Sequence, residues 1–484
     1  MSWADVYPWH APQPGGPVIR QVYDQVRGAI HEGALKPGGR LPSSRDLAQR
    51  LGVARASVVA AYDQLLAEGY AEGRRGSGTY VRGDLSGVID LKGPAAPRDN
   101  LAPAPAPRSA VSPAMGLPTL ESARVAFSNG RTLMDARALD AWSKSTRRAL
   151  RTLGPEHFGY THPAGDIRLR TAVADYLRAA RSVACAPEQV IITSGAQQGV
   201  DLTLRVLVRP GDRVWLEDPG YPATWRAAAS AGARPVPVPV DRSGLVVAAG
   251  VASAPDARLA FLTPSHQYPL GVALSMGRRL ELLAWAREAG AFILEDDYAA
   301  EFRYAGAPLP ALQGLGGGDR VIYVGTLNKA LFPGLRLGYL VAPRDLVEAF
   351  AAHRWMIDRQ PPSLTQAITL DFLESGQFAA HIRRRRIAYK VQRDALESAL
   401  ARRLGAVLDV DAPDQGMHLI AYFRDGRCDV TAEAAAAANG LTARAISPLY
   451  HQAPPRSGLL LGFTGFPPNV MDAGVARLTA ALGA

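Results

Sequence analysis

The sequence predicts a multidomain chain in which a small, mainly helical domain ending in two short strands precedes a large α/β domain. Three observations lead to this prediction. Residues 84–124 are dense in Pro and Ala and contain no aromatic residue, which is typical of a semi-rigid linker. Residues 12–83 carry apolar side chains at helical spacing, and residues 125–484 alternate apolar strands with amphipathic helices. We therefore expect two folded domains joined by this linker.

Composition excludes some classes of protein but does not identify the class to which this chain belongs. The 484 residues are 48% hydrophobic and 20% charged, so the chain can bury large cores. Cys185 and Cys428 are its two cysteines, which argues against a disulfide scaffold and fits the reducing cytoplasm. No apolar run approaches the roughly 18 residues of a membrane span, and residues 1–10 lack a secretory pattern. We expect a cytoplasmic protein without membrane contact; the net charge of +10 fits a DNA-binding protein and a basic enzyme equally well.

Three helices are predicted in the first domain. Residues 18–31 (VIRQVYDQVRGAIH) place apolar side chains at four-residue steps. Ser43 and Ser44 can cap a short helix that Gly52 ends, and residues 54–69 (ARASVVAAYDQLLAEG) form the next one. Two helices separated by a tight Gly turn form a helix-turn-helix, whose second helix can enter a DNA major groove. The side chains expected to face inward from this second helix are Val58, Tyr62, Leu65 and Leu66.

Two short strands around a tip rich in Gly and Arg follow in residues 70–81 (YAEGRRGSGTYV), which is the pattern of a wing. Arg45 lies at the start of the first helix of the pair, Arg55 and Ser57 begin the second, and Arg74 and Arg75 belong to the wing. These residue types suit contacts with DNA phosphates. The charge pattern alone also fits a solvated protein surface.

Residues 38–81 (GGRLPSSRDLAQRLGVARASVVAAYDQLLAEGYAEGRRGSGTYV) closely resemble the winged helix-turn-helix domain of GntR-type bacterial repressors. Ala56 and Val59 stand where some relatives carry polar or basic side chains that contact bases. The resemblance implies phosphate and base contacts from the helix pair and a minor-groove contact from the wing, made by Arg45, Arg55, Ser57, Arg75 and Gly76.

The large domain contains a lysine in an unusual setting. In VIYVGTLNKALFPGLRLGYL a buried-strand pattern leads into Thr326 and Lys329, and Arg336 follows before a second strand. A buried ammonium group is disfavoured unless it is neutralised or has reacted. Reaction with an aldehyde such as pyridoxal 5'-phosphate would remove the charge, and Thr326 and Arg336 could bind the phosphate. The competing interpretation is a surface lysine that follows a strand.

Three further segments place polar groups at strand ends. In AFILEDDYAAEF a strand ends in three acidic residues, and one carboxylate could keep a pyridine nitrogen protonated. In VIITSGAQQGVDLTLRVL a strand turns through residues 194–197 into a helix whose free N–H groups can bind an anion. Tyr221 in RVWLEDPGYPATW could stack on a flat ring. The alternatives are a solvated turn, an ordinary strand-to-helix turn and core packing.

Taken in order, these segments resemble the fold-type-I aminotransferase family over residues 125–484. The resemblance implies that Lys329 is the aldimine lysine, Asp296 faces the pyridine nitrogen and Tyr298 faces the ring hydroxyl. It further implies that Tyr221 stacks on the ring and that Tyr160 comes from a loop near a subunit boundary. The residues that it implies for the phosphate are Ser194, Gly195, Ala196, Thr326 and Arg336.

Two positions depart from the pattern of these enzymes. Tyr268 in LTPSHQYPLG replaces the usual asparagine. Leu460 in PRSGLLLGFTGF stands where the family commonly has an arginine that binds the substrate carboxylate, and Arg456 is a candidate substitute. The loss of that arginine favours a sensor of the cofactor itself, such as a regulator of vitamin B6 supply, over a sensor of one amino acid.

Nearly the whole sequence resembles the MocR subfamily of GntR regulators, in which a winged helix-turn-helix is fused to an aminotransferase-like domain. The resemblance implies a homodimeric regulator that binds pyridoxal 5'-phosphate and a double-stranded DNA operator. We expect aldimine formation, with a small-molecule amine as a further effector, to change the domain arrangement and hence operator affinity. Two alternatives stay open: a working aminotransferase with an accessory DNA-binding domain, and a DNA-binding scaffold with an inactive pocket. No metal site is expected, and HIRRRR (381–386) is expected to be a solvated face.

Overall fold

The computed structural model describes residues 7–84, 125–306 and 309–483. The chain divides into two compact units, residues 1–107 and 108–484. The predicted linker lies outside the described residues apart from Asp84. Among the helices that the structure describes, none is long and apolar enough to cross a lipid bilayer.

The first unit has the helices and strands that the sequence predicts. Ser43 caps its second helix, because the Ser43 hydroxyl accepts a hydrogen bond from the Asp46 N–H at 3.1 Å. Gly52 ends that helix in the left-handed conformation, with φ of 64°. The elements are α1 (Val18–His31), α2 (Ser44–Leu51), α3 (Arg55–Ala67), β1 (Ala71–Arg74) and β2 (Gly78–Val81).

The three helices enclose a core that includes Val22, Val58 and Leu65. The prediction for Leu66 is wrong, since this side chain is 36% exposed. Successive residues of an α-helix are rotated by about 100°, so Leu66 lies off the face on which Leu65 is buried. Strands β1 and β2 pair antiparallel, as expected for a wing.

The second unit consists of two sheets with helices around them. Its elements are α4 (Ala136–Thr152), α5 (Ile167–Arg181), β3 (Val190–Thr193), α6 (Ala196–Leu207), β4 (Arg213–Asp218), α7 (Pro222–Ser230), β5 (Arg234–Asp241), β6 (Gly244–Leu245), α8 (Val247–Ser253), β7 (Leu259–Leu262), α9 (Met276–Glu288), β8 (Phe292–Asp297), β9 (Val321–Thr326), α10 (Leu327–Ala330), β10 (Gly338–Val341), α11 (Val347–Asp358), α12 (Ser363–Glu374), α13 (Gln377–Leu404), β11 (Leu408–Asp411), β12 (His418–Phe423), α14 (Asp429–Ala438), β13 (Arg444–Ala445), β14 (Gly458–Gly462) and α15 (Pro468–Leu482).

The larger sheet has the strand order β3-β10-β9-β8-β7-β4-β5-β6. Strands β9, β8, β7, β4 and β5 are parallel, so their carboxyl ends share one edge of the sheet. Strand β10 is antiparallel to β3 and β9, and its first residue, Gly338, therefore lies at the same edge. A side chain at Gly338 would approach the Cα of Gly195 and the carbonyl oxygen of Gly325 to 2.8 Å. Glycine at this position lets three strand ends meet closely.

The smaller sheet is antiparallel, with the order β11-β12-β14-β13. Helices α13 and α15 pack against each other, and both contribute to the largest apolar core of this unit. Strand β13 forms the edge of the sheet, where Arg444 is the direct cross-strand partner of Leu460.

The prediction that the basic run in α13 forms a solvated face is wrong for Arg385, whereas Arg386 is exposed. Arg385 is buried and forms an ion pair with Asp135. Arg386 donates hydrogen bonds to the backbone carbonyl of Glu301 at 2.9 and 3.1 Å. Because both guanidinium groups hold α13 against neighbouring segments, their role is structural.

Candidate cofactor site and DNA-binding surface

A cavity of about 250 Å³ lies where the carboxyl ends of the parallel strands meet. Eight of the ten cofactor-site residues expected from the sequence line it. These are Gly195, Ala196, Tyr221, Asp296, Tyr298, Thr326, Lys329 and Arg336. Other lining residues are Asn129, Gly130, Gln197, Thr263, Tyr268, Asn328, Pro333 and Met417.

Lys329 is held on the short helix α10, directly after β9. The Thr326 hydroxyl accepts a hydrogen bond from the Asn328 N–H at 3.1 Å and so caps this turn. Burial lowers the pKa of the Lys329 amine, and the nearby Asp296 carboxylate opposes that shift. A lowered pKa increases the fraction of neutral amine, which is the form that attacks an aldehyde.

In the structure, the three acidic residues of the EDD motif (295–297) point to two different faces of strand β8. Glu295 accepts hydrogen bonds from two backbone N–H groups, those of Leu312 and Gln313, at 3.0 and 3.1 Å. Asp297 forms a buried ion pair with Arg181 at 2.7 Å. Successive side chains of a strand point to opposite faces, so Asp296 between them is the carboxylate that lines the cavity.

Two buried polar atoms in the cavity wall have no hydrogen-bond partner in the described part of the chain: Asp296 Oδ1 and the Tyr298 hydroxyl. Burial raises the pKa of Asp296 to about 7, with a further rise from Asp297 and an opposing effect of Lys329. Buried polar groups without partners are costly. An N–H donor for Asp296 and a polar ring substituent for Tyr298 are what pyridoxal 5'-phosphate offers, so these residues fit that cofactor.

The start of α6 supplies a narrow anion cradle. Gly195 has φ of 118°, and a Cβ there would lie 2.8 Å from Asn328 Nδ2 and 3.8 Å from Arg336 Nη1. Free N–H groups at the amino end of this helix and the Arg336 guanidinium therefore converge on one small space. Ser194 is not among the cavity-lining residues, and its N–H donates to Gln198 Oε1 at 2.8 Å.

Two tyrosines form the opposite side of the cavity. The rings of Tyr221 and Tyr268 meet edge to face, with centroids 5.3 Å apart and planes at 82°. Tyr221 is 40% exposed and Tyr268 only 6%, so Tyr221 lies nearer the mouth. Burial raises the pKa of Tyr268, and the charge of Arg444 together with hydrogen bonds from Arg444 and Asn129 opposes the rise.

Tyr160 does not line the cavity of its own chain. It is 84% exposed and contacts the ring of Trp355 on α11 at 6.4 Å between centroids. Arg456 does not line the cavity either, because its guanidinium lies over the ring of Tyr422 at 3.6 Å. Arg456 is thus occupied elsewhere, and the suggestion that it substitutes for the missing arginine has no support in this geometry.

Sequence reasoning missed several lining residues. A Cβ at Gly130 would lie 2.1 Å from Lys329 Nζ, although the two residues are far apart in the chain. Asn328 adjoins Lys329, and its side-chain oxygen accepts the Leu337 N–H at 2.9 Å. The polar Asn129-Gly130 pair was the sequence signal available for Gly130, whereas no feature of the sequence marks Met417 as a lining residue.

In the first unit the five expected DNA-contacting residues lie at the starts of α2 and α3 and at the wing tip. Arg55 Nε donates to the Ser44 hydroxyl at 3.2 Å, which orients its guanidinium beside α2. Arg74 forms an ion pair with Glu72 at 2.7 Å. Arg45 and Arg75 are exposed, and within the described residues neither forms an ion pair. They are available to bind an anionic partner.

The described residues contain no group of three or more His, Cys, Asp or Glu side chains arranged to hold a metal ion.

The cavity, with its lysine, unpaired carboxylate and anion cradle, defines a domain of the pyridoxal phosphate-dependent aminotransferase class. The helix pair and wing define a DNA-binding domain. The chain is therefore a fusion of a DNA-binding domain with an aminotransferase-like domain.

Comparison with known proteins agrees with both assignments. The model of aminotransferase class I and II matches residues 125–452, and that of bacterial regulatory proteins of the gntR family matches residues 18–81. The probable rhizopine catabolism regulatory protein MocR of Rhizobium meliloti is 38% identical over 472 residues, 96% of this chain and 94% of that protein. The pyridoxine biosynthesis transcriptional regulator PdxR of Corynebacterium glutamicum is 36% identical over 380 residues, covering 78% of each chain.

Among solved structures, an archaeal alanine:glyoxylate aminotransferase is similar with a TM-score of 0.66 and 28% identity, over 72% of this chain and 87% of that one. The chain belongs to the MocR subfamily of GntR-type transcriptional regulators. GntR-type regulators bind DNA, and class I and II aminotransferases depend on pyridoxal 5'-phosphate. As a member of this subfamily, the chain is a regulator of transcription that binds pyridoxal 5'-phosphate.

The raised pKa of Asp296 leads to a prediction for the cofactor-free protein. Because the folded-state pKa of about 7 exceeds the ordinary value of 3.8, this carboxyl stabilises the fold below about pH 4 and loses that contribution as the pH rises through 7. We expect Asp296→Asn to raise the unfolding free energy by about 2–4 kcal/mol at pH 8 and to change it little at pH 4. Chemical unfolding of the cofactor-free protein at both pH values measures this.

The exposed Asp201, paired with Arg205 on the surface of α6, provides the control, and Asp201→Asn should change the unfolding free energy by tenths of a kcal/mol. An equal effect of Asp296→Asn at the two pH values would contradict the assigned environment of Asp296.

Proposed function

We propose that binding of pyridoxal 5'-phosphate and of a small-molecule amine in the cavity controls the affinity of the winged helix-turn-helix for a double-stranded DNA operator. The observation that supports this proposal is the presence, in one chain, of a cavity fitted to the cofactor and of a winged helix-turn-helix on which Arg45 and Arg75 are exposed. A ligand can alter operator affinity only through different interaction free energies with two states of the protein. The coupling is therefore measurable as a change in the DNA dissociation constant.

Different side chains would hold different parts of the cofactor. Pyridoxal 5'-phosphate supplies an aldehyde that reacts with amines and a ring that withdraws electrons. Lys329 would provide the amine for covalent attachment, Asp296 would hold the proton on the pyridine nitrogen, and Tyr298 would bind the ring hydroxyl. Tyr221 packs against the ring near the cavity mouth. Of the five residues expected at the phosphate, Gly195, Ala196, Thr326 and Arg336 line the cavity and would bind it, whereas Ser194 lies outside the lining.

We further propose that the regulator is a homodimer in which Tyr160 reaches the cavity of the partner. Phe158, Tyr160 and Met356 are 80%, 84% and 81% exposed. The loop that carries the first two is tied to the end of α11, since Gln360 Nε2 donates to the Gly159 carbonyl at 3.1 Å. Several large apolar side chains exposed on joined segments are typical of a protein interface.

On the DNA side, Arg45, Arg55 and Ser57 bind phosphates and base edges, while Arg75 and Gly76 approach the minor groove. Gly76 has φ of 76°, which gives the wing tip the tight turn that brings its backbone close to DNA. Ala56 and Val59 are exposed on α3. Small apolar side chains on the reading helix suit contact with thymine methyl groups.

Operator binding at fixed salt tests the proposal. Fluorescence anisotropy with DNA from upstream of the protein's own gene would compare the cofactor-free protein, the loaded protein and the loaded protein with a panel of amines. We expect the dissociation constant to change by roughly 5- to 150-fold between at least two of these states. Equal affinities in all states would overturn the proposal. Rapid multiple-turnover release of keto acid would instead favour the working aminotransferase.

A further inference from the structure

A second cavity of the large unit lies between α5, the segment that follows β8 and the start of α13, and its volume is about 280 Å³. None of the described residues that line it also lines the cofactor cavity. The two cavities have similar volumes, so the second one has room for a small molecule. We call it the arginine cleft, because Arg303, Arg383 and Arg386 belong to its lining.

These three arginines give the cleft a positive charge. In the part of the chain that the structure describes, none of them forms an ion pair. Arg303 donates to Gln415 Oε1 at 3.0 Å, and Arg386 donates to the Glu301 backbone carbonyl at 2.9 and 3.1 Å. Both acceptors are uncharged, and Arg383 is exposed. Because guanidinium groups bind carboxylates and phosphates through paired hydrogen bonds, the cleft is suited to an anion.

The acidic side chain in the lining offsets little of this charge. The Glu301 carboxyl is buried, and its Oε1 accepts a hydrogen bond from the Tyr176 hydroxyl at 3.0 Å. Burial raises the pKa of Glu301 to about 7, with a further rise from Asp297. A carboxyl that is partly neutral near pH 7 cancels at most one of the three positive charges.

One wall of the cleft is apolar. The rings of Tyr176 on α5 and Phe378 on α13 meet edge to face, with centroids 5.3 Å apart and planes at 90°. Ile382 lies one helical turn after Phe378, and all three side chains line the cleft. An apolar wall beside unpaired cations suits a ligand with two parts, an anionic group and an apolar body.

The cleft is connected to the cofactor cavity through its lining. Arg181 lines the cleft and forms the buried ion pair with Asp297 at 2.7 Å. Asp297 directly follows Asp296, which lines the cofactor cavity. Glu301 lies three positions after Tyr298, another residue of that cavity. A ligand that shifts Arg181 or Glu301 therefore acts on the segment that carries two cofactor-site residues.

We propose that the arginine cleft binds a small organic anion with an apolar body, and that this anion is a second effector that changes the affinity for the cofactor. The inference goes beyond the proposed function, which places every small-molecule ligand in the cofactor cavity. The anionic group faces Arg303 and Arg383, and the apolar body packs against Phe378. By linkage, the cofactor changes the affinity for the anion by the same factor.

Matched aromatic probes test the site on the full-length, cofactor-loaded protein. Benzoate, 3-phenylpropionate and phenyl phosphate would be titrated by calorimetry beside benzamide, 3-phenylpropionamide, phenol and acetate. We expect at least one aromatic anion to bind roughly tenfold or more tightly than its neutral counterpart and than acetate. Arg383→Gln should weaken that anion roughly tenfold or more.

A second variant adds a negative charge to the cleft. Ala379 lines the cleft in the exposed first turn of α13, and Ala379→Glu should weaken the anion by a similar factor because like charges repel. The cofactor absorbance of both variants should match that of the wild type before titration. Arg403→Gln is the control, because Arg403 lies on the same helix, is paired with Asp472 at 3.1 Å and does not line the cleft.

The site is overturned if no aromatic anion binds the wild type more tightly than its neutral counterpart, or if Arg383→Gln and Ala379→Glu bind it as the wild type does. The cofactor dissociation constant, measured with and without saturating anion, should differ roughly fivefold or more. An unchanged constant overturns the role as an effector. A wild type that holds no cofactor contradicts the proposed function, and the same titrations of the cofactor-free protein then decide the cleft separately.

Discussion

Lys329→Ala is expected to abolish covalent binding of pyridoxal 5'-phosphate. The amine on α10 is the lysine side chain that lines the cavity beside Asp296 and Arg336, and alanine offers no nucleophile for the aldehyde. After incubation with the cofactor, borohydride reduction and denaturation, mass spectrometry should find the adduct on the wild type and not on the variant. Burial disfavours the charged form of this amine, so the fold should survive its removal.

The exposed Lys144, paired with Asp140 on one face of α4, provides the matched control. Lys144→Ala should keep the full adduct. An adduct of undiminished amount on the Lys329→Ala protein would show that the cofactor is attached elsewhere, and the description of the cavity as a cofactor site would then be wrong.

The combined variant Arg45→Ala, Arg55→Ala, Arg75→Ala should have the largest effect on DNA binding. These side chains lie on α2, on α3 and at the wing tip, so the variant removes one cation from each contacting element. We expect operator affinity to fall roughly 100-fold or more. The slope of log affinity against log salt should become shallower by about one for each DNA phosphate that the variant no longer neutralises. Anisotropy titrations at several salt concentrations measure both quantities.

Arg20→Ala serves as the control, because Arg20 lies on α1 and is engaged by Asp24 at 3.1 Å. This variant should bind the operator nearly as well as the wild type, and its absorbance spectrum should show the usual cofactor. If the triple variant kept the wild-type affinity and salt slope, the DNA-binding face would have to lie elsewhere on the first domain.

Local patterns were sufficient to predict the elements that carry the site. The boundaries of α1 and α2 follow from apolar spacing and from the cap at Ser43, because these signals act within one or two turns of a helix. Lys329 was identifiable since a lysine directly after a buried strand is rare in a core. The arrangement of the larger sheet was also foreseeable in outline, because alternating strands and helices place strand ends on one edge.

Distances between segments remote in the chain could not be predicted in the same way. The Asn129-Gly130 pair marks a polar turn but does not indicate that Gly130 touches Lys329, and the register that sets Arg444 opposite Leu460 depends on how two strands pair. A slip of one residue in that pairing would send the side chain to the other face. The buried Arg385 illustrates the same difficulty, because its partner Asp135 lies on a different segment.

Residue types and short-range spacing were enough to define the two domains, their secondary structure, the cofactor lysine and the acidic strand end. Which carboxylate faces the cavity and which arginines are unpaired became visible only in the folded chain. Burial and charge pairing depend on neighbours that sheet register and packing bring together. A local sequence pattern does not show which residues those neighbours are.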